Sequence, residues 1–157
     1  MSERRAKCLR VAWRFVALCC LLATIGFIWS NSMRNATQST AQSGFWRDLF
    51  RQIFDIEQQP FRFLYENLRK VAHFFEFALL GAEAAWLLLG RRHRLARLAL
   101  GFGICLLVAM ADEAIQWFVP GRVAALLDVL LDGAGSLCGL LLYSAAAAAV
   151  CRLFKKK

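Results

Sequence analysis

The sequence predicts an all-α integral membrane protein, a four-helix bundle with an external amphipathic helix between its first and second spans. Three observations carry that prediction. The chain has 157 residues, 59% of them hydrophobic, where a soluble domain of this size is roughly half apolar. Four runs, 11–29, 71–89, 95–119 and 124–150, approach the roughly 20 apolar residues needed to cross a bilayer. Packed instead as core helices of a soluble domain, four such runs would leave too little polar surface. The third observation is where the basic residues fall. Arg4, Arg5, Lys7 and Arg10 precede the first run, Arg91, Arg92, Arg94 and Arg97 separate the second from the third, and Arg152 and Lys155 to Lys157 follow the fourth.

In a four-span arrangement all of those cations lie on one side. The other side carries Arg34, Arg47, Arg51, Arg62, Arg69, Lys70 and Arg122, diluted by Asp48, Asp55, Glu57 and Glu66. This is the positive-inside pattern. It predicts a multi-pass protein of the plasma (inner) membrane with both termini cytoplasmic, as one membrane domain over residues 1–157. The net charge of +9 is thereby assigned to helix orientation and anionic lipid. Nucleic acid is not an expected partner. Membrane lipid is.

Taken in order, residues 1–14 are a basic tail leading into the first apolar run. A cleaved signal peptide has a similar pattern, with Ser30-Asn31-Ser32 as a small-residue cleavage site. A retained helix is the better reading, because the run is long for a signal sequence and its removal leaves an odd number of spans. Residues 30–70 form the external loop, and 31–44, rich in Ser, Thr, Asn and Gln, are a polar linker. Phe45, Trp46, Leu49, Phe50, Ile53 and Phe54 then recur at helical spacing with Arg47, Asp48, Arg51 and Gln52 between them. That pattern suits a helix lying in the headgroup layer or packed on the external helix ends.

Pro60 is placed to begin a helix that continues into the second span. Gly90 ends that span, and His93 falls in the basic turn after it. The third span rises to Val119-Pro120-Gly121, and the fourth returns. Six cysteines, none in the external loop, offer neither a disulfide framework nor a metal-type spacing.

The polar residues inside the spans are the functional candidates, since charge at membrane depth is costly unless paired or wet. On the second span His73 and Glu76 are one turn apart on one face, with Lys70 a turn further out. On the third, Asp112 and Gln116 share a face, and Glu113 lies about 100° around. On the fourth, Asp128, Asp132, Gly135 and Gly139 form one stripe, and Gly135-x-x-x-Gly139 lets another helix approach closely. Arg122 sits at the external turn. Positive-inside orientation puts this whole candidate cluster in the outer half of the bilayer. Glu83 alone lies deeper.

Four roles suit such a cluster. It can be hydrogen-bonded glue between helices. It can be a divalent-metal or acid–base site of His and carboxylates, although no HExxH-type spacing supports a metal. It can be a pocket for a lipid headgroup or small ligand, with Arg122 as anion contact. Or it can be an ion path through Glu83. Asp128, nearer the external water, is expected to be the working carboxylate with Arg122 as its partner. Asp132, deeper, is expected to tolerate a neutral amide. No cofactor is expected.

Three motifs in order carry a resemblance: Lys70-x-x-His73-x-x-Glu76-Phe77, then Asp112-Glu113-x-x-Gln116 with Pro120-Gly121-Arg122, then Asp128-x-x-x-Asp132-x-x-Gly135. Together they resemble the VanZ-like family of small bacterial integral membrane proteins. The first span and the external loop carry none of these motifs. Asp132 stands where many members have Asn. The resemblance implies a cell-envelope protein of a family associated with teicoplanin resistance, without implying resistance from this copy or a defined reaction. The expectation is a protein that binds or acts on an amphiphilic envelope molecule: a lipid, a lipid-linked precursor or a lipoglycopeptide. The alternatives are a membrane-embedded hydrolase or transferase using the His–carboxylate cluster, and a structural partner subunit of an envelope complex.

Overall fold

A computed structural model describes residues 3–34, 44, 48–49, 51–53, 67–88, 93–122 and 125–155. Four long helices account for most of them: α1 (Glu3–Ser32), α2 (Leu68–Leu88), α3 (Arg94–Trp117) and α4 (Leu126–Lys155). No strand occurs among the described residues. Each helix contains a stretch long and apolar enough to cross a membrane: Val11–Ser32, Leu68–Leu88, Arg94–Trp117 and Leu126–Leu153. The fold is therefore all-α with four membrane-crossing helices.

What faces outward supports the same conclusion. Trp13, Phe15, Leu22, Phe75, Leu79, Leu107, Leu130 and Leu142 are all exposed. An apolar girdle of this extent would drive aggregation in water. In a bilayer it meets lipid tails, and the helices satisfy their own backbone groups. The chain is a multi-pass membrane protein.

Between α1 and α2, residues 48–49 and 51–53 are helical, with Leu49 and Ile53 exposed. The rest of the amphipathic stretch lies outside the described residues, as does the Pro60 helix start. The Asn67 carbonyl accepts the Val71 N–H at 3.0 Å, ahead of α2. At the first span the helix runs to Ser32. Asn31 and Ser32, assigned to the polar linker from sequence, are helical.

The α3–α4 connection is tight. The Arg122 N–H donates to the Val119 carbonyl at 3.1 Å, closing a turn with Pro120 second and Gly121 third at φ 79°. This is the type II arrangement, in which the third position favours glycine because its φ is positive. The turn brings the start of α4 back beside the end of α3.

The closest helix pair is α2 with α4. Gly135 lies against the backbone of Phe74 and Gly139 against that of Ala78, and a Cβ on either would collide with those carbonyl groups. Gly81 lies equally close to the backbone of Ser136 from the other side. Matching order along both chains means that α2 and α4 run in the same direction. Small residues permit this approach, and the predicted glycine stripe does face protein. Below it, Phe77, Leu80, Ala84, Cys105, Ala109 and Leu140 form the apolar core. Above it, where α1 and α3 end and α2 and α4 begin, the interior turns polar.

Candidate functional site

Five polar residues are buried at that end: Ser32, Asp112, Glu113, Gln116 and Asp132. Gln116 is their hub. Its Oε1 accepts from Arg69 Nη2 at 2.8 Å and from Arg122 Nη1 at 3.2 Å. Two cationic donors on one side fix the amide orientation, since the NH2 group cannot face them. Nε2 therefore turns inward. It donates to Asp112 Oδ2 at 2.8 Å and to Ser32 Oγ at 3.3 Å. The one-turn spacing of Asp112 and Gln116 makes the first of these bonds a local consequence of helix geometry.

Asp112 thus presents one satisfied oxygen and one free. Its Oδ1 is buried without a hydrogen-bond partner, and so is Asp132 Oδ2. Asp132 Oδ1 stands 3.7 Å from His73 Nδ1. His73, Asp112 and Asp132 each offer an atom to one point, the three atoms lying within 4.8 Å of one another. The His73 ring stacks on Phe77, the centroids 6.5 Å apart, which steadies it on the face of α2 that meets α4.

A small cavity of about 20 Å³, open on one side, lies beside this trio. The predicted residues Lys70, His73, Glu113, Gln116, Asp128 and Asp132 line it, with Arg69 and Leu131. Glu76, a turn below His73, faces α1 instead: its Oε1 accepts from Asn31 Nδ2 at 3.4 Å, and Oε2 is buried without a partner. Glu113 has a structural task, its Oε2 accepting the Ala125 N–H at 2.9 Å. That bond satisfies a backbone donor just ahead of α4 that no helix carbonyl can reach.

The expected Arg122–Asp128 pair does not form. Arg122 points the other way, donating from Nε to the Arg34 carbonyl and from Nη2 to the Asn31 carbonyl, both at 3.2 Å. The C-terminal carbonyls of α1 lack helical partners and carry the negative end of its dipole, so they attract a guanidinium. Burial and the neighbouring Arg69 guanidinium draw Arg122 below the usual arginine range, while Asp112 and Glu113 pull the other way. Asp128 is left half-buried in the first turn of α4, on the cavity wall. The buried carboxylate beside His73 is Asp132.

Sequence reasoning missed what α1 and Arg69 contribute. Asn31 and Ser32 are short polar residues at a helix end, the composition of a linker. In the sequence Arg69 is one of several scattered external cations. A signal for Arg69 did exist: it is next to Lys70, on the turn preceding His73.

A family model described as VanZ/LLP1 matches residues 15–149. The chain belongs to the VanZ/LLP1 family. The match takes in α1, which bears none of the three motifs yet brings Asn31 and Ser32 to the site of this VanZ/LLP1 protein. Comparison with curated proteins and with solved structures finds no match.

Proposed function

We propose that this VanZ-like protein binds the polar head of an amphiphilic envelope molecule in the cavity at the ends of α2, α3 and α4. The candidate ligands are a lipid, a lipid-linked precursor or a lipoglycopeptide. The observation that carries the reading is the cavity itself. It joins Arg69 and Lys70 to Glu113, Asp128, Asp132 and His73 on helices whose outer faces are apolar. A head with both anionic and hydrogen-bonding groups meets donors and acceptors there, while its tails remain along the helices. The basic asymmetry supports a plasma-membrane location with both termini cytoplasmic and the cavity facing outward. In that orientation the pocket meets the outer leaflet, where such molecules lie.

A second reading is favoured by one specific contact. His73 beside Asp132 is a base–carboxylate arrangement of the kind used in acid–base chemistry. On that reading the protein is a membrane-embedded hydrolase or transferase acting on the same headgroup. Teicoplanin resistance belongs to the family association and is tested separately, by susceptibility of cells expressing the chain.

Purification of the full chain in nanodiscs, followed by mass spectrometry of retained lipids, tests the binding proposal. An enriched amphiphile in the wild type, lost in His73→Ala at normal membrane abundance, is the expected result. No enrichment over the bulk lipid contradicts it. Reporters after Lys157 and near Ser39 test the orientation, with cytoplasmic and external signals expected respectively.

A further inference from the structure

We infer that His73, Asp112 and Asp132 form a site for one divalent cation of the Zn²⁺ or Mn²⁺ class at the inner end of the cavity. The inference deepens the headgroup reading, since it concerns the same pocket. Four observations lead to it.

The first is convergence. One atom from each residue lies within 4.8 Å of the others, and they come from three different helices. The second is the state of the oxygens. Asp112 is 0% exposed and Asp132 1%, yet Asp112 Oδ1 and Asp132 Oδ2 have no hydrogen-bond partner. A buried carboxylate oxygen without a donor is costly, and a bound cation or a proton relieves that cost. The nearby guanidinium groups do not serve: Arg69 and Arg122 donate to Gln116 Oε1, on the far side of that amide.

The third observation is a distance. His73 Nδ1 and Asp132 Oδ1 stand 3.7 Å apart, too far for a hydrogen bond. Two ligands held at about 2.1 Å on a tetrahedral ion are separated by about 3.4 Å. The pair is therefore spaced nearer to co-ligands than to donor and acceptor. The fourth is orientation. Gln116 Nε2 holds Asp112 Oδ2 at 2.8 Å, and the two arginines fix which way that amide faces. A polar group that orients a metal-binding carboxylate in this way is a common feature of metal sites.

The donor set selects the cation. One imidazole nitrogen with two carboxylate oxygens is a mixed set suited to Zn²⁺ or Mn²⁺, whereas Mg²⁺ and Ca²⁺ prefer oxygen alone. Three protein ligands leave a position open toward the cavity. An anionic headgroup oxygen can take it, which offsets the repulsion that Glu113, Asp128 and Asp132 otherwise present to such a ligand.

The test uses the full chain in detergent, freed of metal with EDTA and titrated separately with Zn²⁺ and Mn²⁺. One equivalent should bind and raise the unfolding temperature. His73→Ala and Asp112→Asn should each abolish tight binding, Gln116→Ala should weaken it about tenfold to a hundredfold, and Glu83→Gln should leave it intact. Pulsed EPR of Mn²⁺ on the wild-type chain does not depend on any variant folding, and nitrogen coupling from a bound imidazole is expected. No stoichiometric binding, or bound Mn²⁺ without that coupling, overturns the site. If an amphiphile is retained by EDTA-treated protein that takes up no cation, the cation site falls and the headgroup reading stands. A bound cation without any retained amphiphile supports the site and counts against the headgroup reading alone.

Discussion

Two of the polar groups inside this bundle, each holding a buried carboxyl oxygen among the described residues, are built differently. Midway along the helices, Glu83 on α2 accepts one hydrogen bond, from Thr24 Oγ1 of α1 at 3.1 Å. Its second oxygen is buried without a partner. At the polar end, residues of all four helices and the α3–α4 turn meet, with a cavity alongside. Sequence alone marks both as ionisable groups at membrane depth, a default functional hypothesis in each case. The structure separates them. Glu83 touches one neighbouring helix, whereas Asp112 is oriented by a fixed amide close to a histidine and an open pocket.

The comparison can be broken at three points, from the largest effect downward. Gly139→Ala should have the largest effect, because it forces α4 away from α2, the helix that carries both His73 and Glu83. The new methyl meets the Ala78 backbone, which cannot rotate aside, so a loss of about 3 kcal/mol or more is expected. Gly103→Ala, with open space around it, should change little. Unfolding of both proteins in mixed detergent micelles measures the difference, and equal behaviour would mean that the helices do not pack this closely.

Gln116→Ala should come next. It removes the acceptor shared by Arg69 and Arg122 and the donor to Asp112 and Ser32. A loss of about 1–3 kcal/mol is expected from the buried groups it strands, together with loss of whatever the pocket holds. Unfolding and retained-ligand measurements on the same preparation read both. Normal stability with normal ligand content would dismiss Gln116 as the organiser.

Glu83→Gln should have the smallest effect. The amide oxygen still accepts from Thr24, and the change removes a buried charge with an unpartnered oxygen. Stability within about 1 kcal/mol of the wild type is expected, on either side of it. A large loss of ligand in this variant would erase the distinction between the two groups.

Much of this arrangement was legible in the chain. The apolar runs gave four helices because length and hydropathy are sufficient signals at bilayer thickness. Helical spacing placed His73, Asp112, Gln116 and Asp132 on inward faces, and Pro120-Gly121 announced its turn. The glycine stripe on α4 announces a close neighbour, and its counterpart on α2 is Gly81, in the small-residue spacing Gly81-x-x-x-Ala85. What stayed hidden depends on rotation and reach. Asn31 and Ser32 cannot be assigned to a site until α1 is seen to lean on α2 and α3. Asp128 is the carboxylate nearest to Arg122 in sequence, whereas this long side chain on a tight turn reaches the carbonyls at the end of α1. Glu113, read as a possible working group, caps a backbone N–H because α4 begins beside it.

The central claim is that the polar end holds a ligand and the Thr24–Glu83 pair does not. Native mass spectrometry of the full chain released from nanodiscs tests it directly, comparing wild type, Asp112→Asn and Glu83→Gln at matched abundance. A bound amphiphile on wild type and Glu83→Gln, absent from Asp112→Asn, is the predicted result. The same adduct on all three proteins, or its loss from Glu83→Gln alone, would contradict the account.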